Sequence, residues 1–124
     1  MSNLTAMNVY RLSSCVELTT GAALVFAPTI VMTLLFGPAL GENTIYVAQL
    51  YGVAIISLGL TGWKKPCPIT SKITLLVYNS AASIILCRFA ISGIAIGLMA
   101  WPAALLHLGI GLWMIKDRLS QQSN

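Results

Sequence analysis

Residues 13–36, SSCVELTTGAALVFAPTIVMTLLF, decide how the rest of the chain is read. At about 1.5 Å of rise per residue, one helix over this stretch crosses a hydrocarbon core about 30 Å thick. The stretch holds one carboxylate, Glu17, and one proline, Pro28. Pro28 removes a backbone donor and crowds the preceding turn, so a kink is expected there. Neighbouring helices in a membrane can make good the lost bonding. The apolar part, Val16 to Phe36, exceeds the core of a signal peptide, and no A-x-A site follows. It therefore reads as a retained helix, closed by the turn residues Gly37, Pro38, Gly41 and Asn43.

Three further apolar runs follow. The second is Thr44 to Trp63, TIYVAQLYGVAIISLGLTGW, and KKPCPITSK breaks it. The third covers residues 71–89 and the fourth residues 98–115, where Lys116, Asp117 and Arg118 stop it. Between these two lies an uncharged stretch in which Gly93 and Gly97 favour a short turn. The expected architecture is all-α: one integral membrane domain over 1–124, a compact four-helix transmembrane bundle with spans 13–36, 44–63, 71–89 and 98–115.

Composition points the same way. The chain is 57% apolar and 8% charged, against about 25% charged in ordinary soluble domains, too little charge to cover a water-facing surface. The net charge of +4 is scattered between apolar runs, so nucleic acid is not an expected partner. Topology accounts for it better. With four spans, Arg11, Lys64, Lys65, Lys72, Lys116 and Arg118 fall on one side, and the opposite loops carry Glu42 but no Lys or Arg. The positive-inside rule then puts both termini in the cytoplasm of a multi-pass protein of the cell membrane, expected to be a bacterial inner membrane. The three cysteines form no C-x-x-C pair, and no nucleotide-binding or hydrolase motif is present, so no enzyme activity is expected.

Polar side chains inside apolar helices are the candidate functional residues, because lipid makes them expensive. Glu17 lies about 9 Å along its helix from Arg11, Asn79 about 10 Å from Lys72, and His107 about 14 Å from Lys116. These three can share a layer, with Tyr78 beside Asn79. Glu17 reads either as a carboxylate that bridges helices or as a site for a proton or cation, paired with His107. His107 reads as a neutral cross-helix hydrogen-bonding group, a proton relay, or an axial haem ligand completed by a methionine, an open position or a second subunit. Arg88 and Gln49 belong to the other half of the bundle. Arg88 suits a lipid phosphate, or a contact with Gln49 or Glu42. Gln49 and Asn79 serve first as interhelical glue, at about 1 kcal/mol each. The deep hydroxyls of Tyr51 and Tyr78 each need a partner. Ala48, Gly52, Gly59, Gly93 and Gly97 offer small surfaces for helix packing.

Glu17 in CVELTTGAAL, with the chain's size and four-run layout, resembles the small multidrug resistance transporters. The resemblance implies a first-helix glutamate that binds protons and cationic drugs in a two-chain assembly. It extends to Glu17 alone, and the one-sided basic residues argue against subunits inserted in opposite senses.

Three functions follow. The first is a structural or accessory subunit of a membrane complex or homo-oligomer, whose partners are the lipid bilayer and other membrane subunits or further copies. The second is a proton-coupled small-molecule or ion transporter using Glu17 and His107. The third is an electron-transfer subunit associated with haem or quinone. Bound lipid, haem and quinone are the cofactors considered.

Overall fold

The computed structural model describes residues 2–38 and 40–123, with side chains from Val9 onward. Five α-helices are present among the described residues: α1 (Ser2–Phe26), α2 (Pro28–Phe36), α3 (Glu42–Thr61), α4 (Ile69–Ile91) and α5 (Ala100–Gln122).

The stretch expected to form one kinked span is instead two helices, bent by 111°. Ala27 leaves helical geometry, with φ −138° and ψ 51°, and Pro28 opens α2 as its first residue. Proline is suited to that position, because its fixed φ and missing N–H cost nothing in a first turn. Its ring would clash with the carbonyl of Leu24 if α1 continued straight. Backbone bonding runs up to the break and resumes after it, from Ala27 N to Ala23 O (2.8 Å) and from Val31 N to Ala27 O (3.2 Å).

The break overturns the four-helix transmembrane bundle. Only α3 and α4, among the described residues, are single helices long and apolar enough to cross a membrane; the bent pair makes a third crossing only if it counts as one broken span. α5 is not among them, because its last turns hold Lys116, Asp117, Arg118 and a polar tail. The even count of four spans that placed both termini in the cytoplasm is lost with it. What stands is an all-α fold with two hydrophobic helices, consistent with membrane association. Large apolar side chains stay exposed on both, including Leu50, Val53 and Leu60 on α3 and Val77, Ile84 and Ile91 on α4. Lipid tolerates such a surface, whose backbone groups are satisfied inside each helix.

The helices pack chiefly as two pairs, α1 along α3 and α4 along α5. In the first pair the backbones touch. A Cβ added to Gly21 would lie 2.7 Å from the Gly52 carbonyl oxygen, and one added to Gly52 would lie 2.8 Å from that of Gly21. One turn-pair further on, Gly59 packs equally close to Leu18. Ala48, Gly52, Ile55 and Gly59 thus form the buried stripe of α3. The stripe of α4 is Ser71, Leu75, Asn79 and Ser83, and that of α5 includes Ala104, His107, Ile110 and Met114. Both stripes carry polar members, and this places the site described below.

The loop between α4 and α5 folds back on α2. Gly97 N and Met99 N donate to the Leu35 and Leu34 carbonyls at 3.1 and 2.8 Å, satisfying acceptors that the end of α2 leaves open. Gly97 lies so close to the Leu34 carbonyl that no side chain fits there. Gly93 has open space around it and a φ of 73°, a left-handed turn conformation rather than a packing surface.

Candidate functional site

Ser13 and Glu17 are four residues apart on α1 and share its buried face. Opposite them stand Asn79 on α4 and His107 on α5. Asn79 is the hub: its Nδ2 donates to Ser13 Oγ at 2.8 Å and to the Leu75 carbonyl at 2.9 Å. A carbonyl only accepts, so this contact orients the amide. Asn79 Oδ1 must then face His107 Nδ1, 2.9 Å away, and accept a hydrogen from it. The hydrogen-bond network therefore assigns the imidazole a protonated Nδ1 and leaves Nε2 as its other polar atom.

Glu17 is completely buried, and neither carboxyl oxygen has a hydrogen-bond partner of full geometry among the described residues. Its Oε1 lies 4.0 Å from His107 Nδ1, about 1 Å beyond hydrogen-bonding distance. The Tyr78 hydroxyl acts on this carboxyl both electrostatically and by a hydrogen-bonding approach that falls short of full hydrogen-bond geometry, and it shares a hydrogen bond with the Tyr51 hydroxyl at 3.0 Å. The Tyr78 ring meets His107 edge-on, with centroids 5.7 Å apart. The Ser14 hydroxyl is also buried without a partner. Unsatisfied polar groups of this kind are rare in folded proteins, since each costs of order 1–3 kcal/mol and a carboxylate more.

Beside this cluster lies a cavity of about 750 Å³ bordered by all five helices. The volume is in the range of small-molecule sites. Tyr51, Tyr78 and His107 form part of its wall, and Glu17 stands behind them, outside the lining. Two methionines, Met32 and Met99, share the wall with His107.

The candidates from the sequence thus divide. Glu17, Asn79, Tyr78 and His107 come together in one place. Gln49 does not join Arg88; its Nε2 donates to the Val25 carbonyl at 3.0 Å and ties α3 to α1. Arg88 is exposed at the far end of α4, beside a separate groove of about 530 Å³, and no ion pair or hydrogen bond links its side chain to Gln49 or Glu42 among the described residues. No group of three or more His, Cys, Asp or Glu side chains among the described residues could hold a metal ion.

Three contributors escaped the reading of the sequence. Ser13 was legible only as a residue four before Glu17, a spacing that puts the two on one face. Tyr51 could be found as a hydroxyl needing a partner, but nothing along the chain pairs it with Tyr78. Gly21 gave no signal until Gly52 was seen against it.

The opposite pole of the cluster is basic and aromatic. Arg11 stacks over Trp63 at 5.5 Å, Lys72 over Tyr10 at 5.3 Å, and the Tyr10 hydroxyl donates to Asp117 Oδ2 at 3.3 Å. These contacts join α1, α4, α5 and the α3–α4 loop at one end of the molecule. In that loop, burial pushes the Cys67 thiol above its ordinary pKa while Lys72 opposes the shift. Comparison with protein families, with curated proteins and with solved structures gives no match for this chain.

Proposed function

We propose that the chain is a membrane protein that holds a small molecule in the cavity among its helices and links its passage to a proton at Glu17 and His107, as a proton-coupled transporter does. One observation carries the reading: a fully buried carboxyl without a hydrogen-bond partner stands 4.0 Å from a histidine that lines a cavity of about 750 Å³. A carboxyl kept only to fasten helices would be expected to spend its oxygens on hydrogen bonds. Here Asn79 does the fastening, and Glu17 is left one small ring movement away from His107 Nδ1. Occupancy of the cavity can displace the imidazole, and a gain or loss of that contact shifts where a proton resides.

The test uses proteoliposomes loaded with a pH-sensitive dye and challenged with a panel of uncharged and cationic amphiphiles. Wild type is expected to show proton movement that depends on the added compound, and Glu17→Gln to reduce it at least tenfold with the fold intact. Equal proton movement in both proteins takes Glu17 out of the mechanism.

The reading as an assembly subunit draws on the exposed apolar faces of α3 and α4. Lipid covers those faces as well as a partner would, and the polar groups a partner could recognise turn inward. Mass measurement in mild detergent decides between them: a stable monomer removes the subunit reading.

A further inference from the structure

The wall of the cavity is uneven in polarity. At one end Tyr51, Tyr78 and His107 come together from α3, α4 and α5, with the two hydroxyls 3.0 Å apart. Toward the other end the lining passes to Leu35, Phe36, Phe89 and Met99, and the rings of Phe36 and Phe89 meet at 6.2 Å. Tyr78 and Phe89 are separated by about 17 Å along α4. The remaining polar lining residues are three threonines, Thr19, Thr20 and Thr44. No Asp, Glu, Lys or Arg among the described residues borders the space.

We infer that this cavity takes an uncharged amphipathic molecule: a long apolar chain with one hydroxyl or carbonyl head, the head against Tyr51, Tyr78 and His107 and the chain directed toward Phe36 and Phe89. The inference rests on the reading of the cavity as the ligand site and names the class of ligand. A charged head would have to shed its water with no opposite charge on the wall, which is costly. A hydrocarbon without a head would leave polar groups of the wall unengaged. The polar end has bonding capacity to offer. When Tyr78 donates to Tyr51, the Tyr51 hydrogen is left for a ligand; when Tyr51 donates, the Tyr78 hydrogen is left and Glu17 competes for it. His107 commits Nδ1 to Asn79 and retains Nε2. A hydroxyl matches that set fully, accepting from the phenol and donating to Nε2, and a carbonyl head uses the phenolic donor alone.

The test labels the protein in nanodiscs with two photoreactive fatty alcohols, one carrying a diazirine beside the hydroxyl and one carrying it at the chain end. The head probe is expected to mark the segments around Tyr51, Tyr78 and His107, and the tail probe those around Phe36 and Phe89. Excess dodecanol should compete for both, and dodecyltrimethylammonium should not. In the double variant Tyr51→Phe, Tyr78→Phe, which keeps both rings, head labelling should fall roughly tenfold. Identical maps for the two probes overturn the inference. So does labelling confined to surface residues such as Leu50 and Ile84, or stronger competition by the cation. Oriented labelling without proton movement removes the transporter reading and keeps this ligand class; proton movement without oriented labelling does the reverse.

Discussion

Asn79 makes more of the internal polar contacts than any neighbour in the cluster, bonding to α1 through Ser13, to its own helix through Leu75 and to α5 through His107. Replacing it with alanine removes all three bonds and leaves the Ser13 hydroxyl and His107 Nδ1 buried without their partner. Asn79→Ala is expected to destabilise the fold by about 2–4 kcal/mol, since orphaned buried groups cost of order 1–3 kcal/mol each and share some relaxation. Thermal unfolding in detergent measures this, and a change below about 0.5 kcal/mol would show that the network is ornamental to stability. Glu17→Gln keeps the shape of the side chain and breaks none of the Asn79 hydrogen bonds, so it should move the unfolding midpoint less than Asn79→Ala while reducing proton movement. That contrast separates the group that holds the helices from the group proposed to carry the proton.

At the scale of the helices, two features have distinct causes. The 111° turn between α1 and α2 coincides with Pro28, yet α2 is also pinned by Gly97 and Met99 from the loop before α5. Pro28→Ala separates the two. Spin labels at Thr19 and Leu34 would lie roughly 13 Å apart along bent axes and about 22 Å apart in a continuous helix. We expect the distance to lengthen in Pro28→Ala. An unchanged distance assigns the bend to the loop. The α1–α3 seam depends instead on close backbones: Gly52→Leu would drive a side chain into Gly21 and Leu24, at a cost of at least about 1–3 kcal/mol. Gly109→Ala on α5 meets nothing within 4 Å and should be neutral or stabilise by up to about 1 kcal/mol through helix propensity. Unfolding midpoints for the two variants should therefore move apart, and equal shifts would sink the seam.

The whole molecule combines two helix pairs, α1 with α3 and α4 with α5, joined by the buried apolar cluster of Val9, Tyr10, Leu75, Ile110 and Met114 and by the polar contacts Ser13–Asn79–His107, Tyr51–Tyr78 and Tyr10–Asp117. The outer faces of α3 and α4 remain apolar, so the chain should stay with membranes washed in high salt or alkaline carbonate. Recovery in the wash supernatant would contradict integration into lipid. That the molecule is helical and oily was legible from the sequence, because long apolar runs with few charges need an apolar covering, which lipid can supply. So were Glu17, Tyr78, Asn79 and His107 as residues of interest, because polar groups in such runs are costly, and the similar depth of Glu17, Asn79 and His107 suggested one layer.

The order of apolar and polar residues by itself determined that this chain is all helix and suited to lipid, since helix formation and hydrophobic burial are local consequences of residue type and spacing. Tertiary structure decided the rest. It turned an expected kink at Pro28 into a break, with α2 docked sideways against the loop at Gly97 and Met99. It gave Asn79 rather than Glu17 the hydrogen bonds, and it opened a cavity beside His107, because both depend on how helices distant in sequence meet.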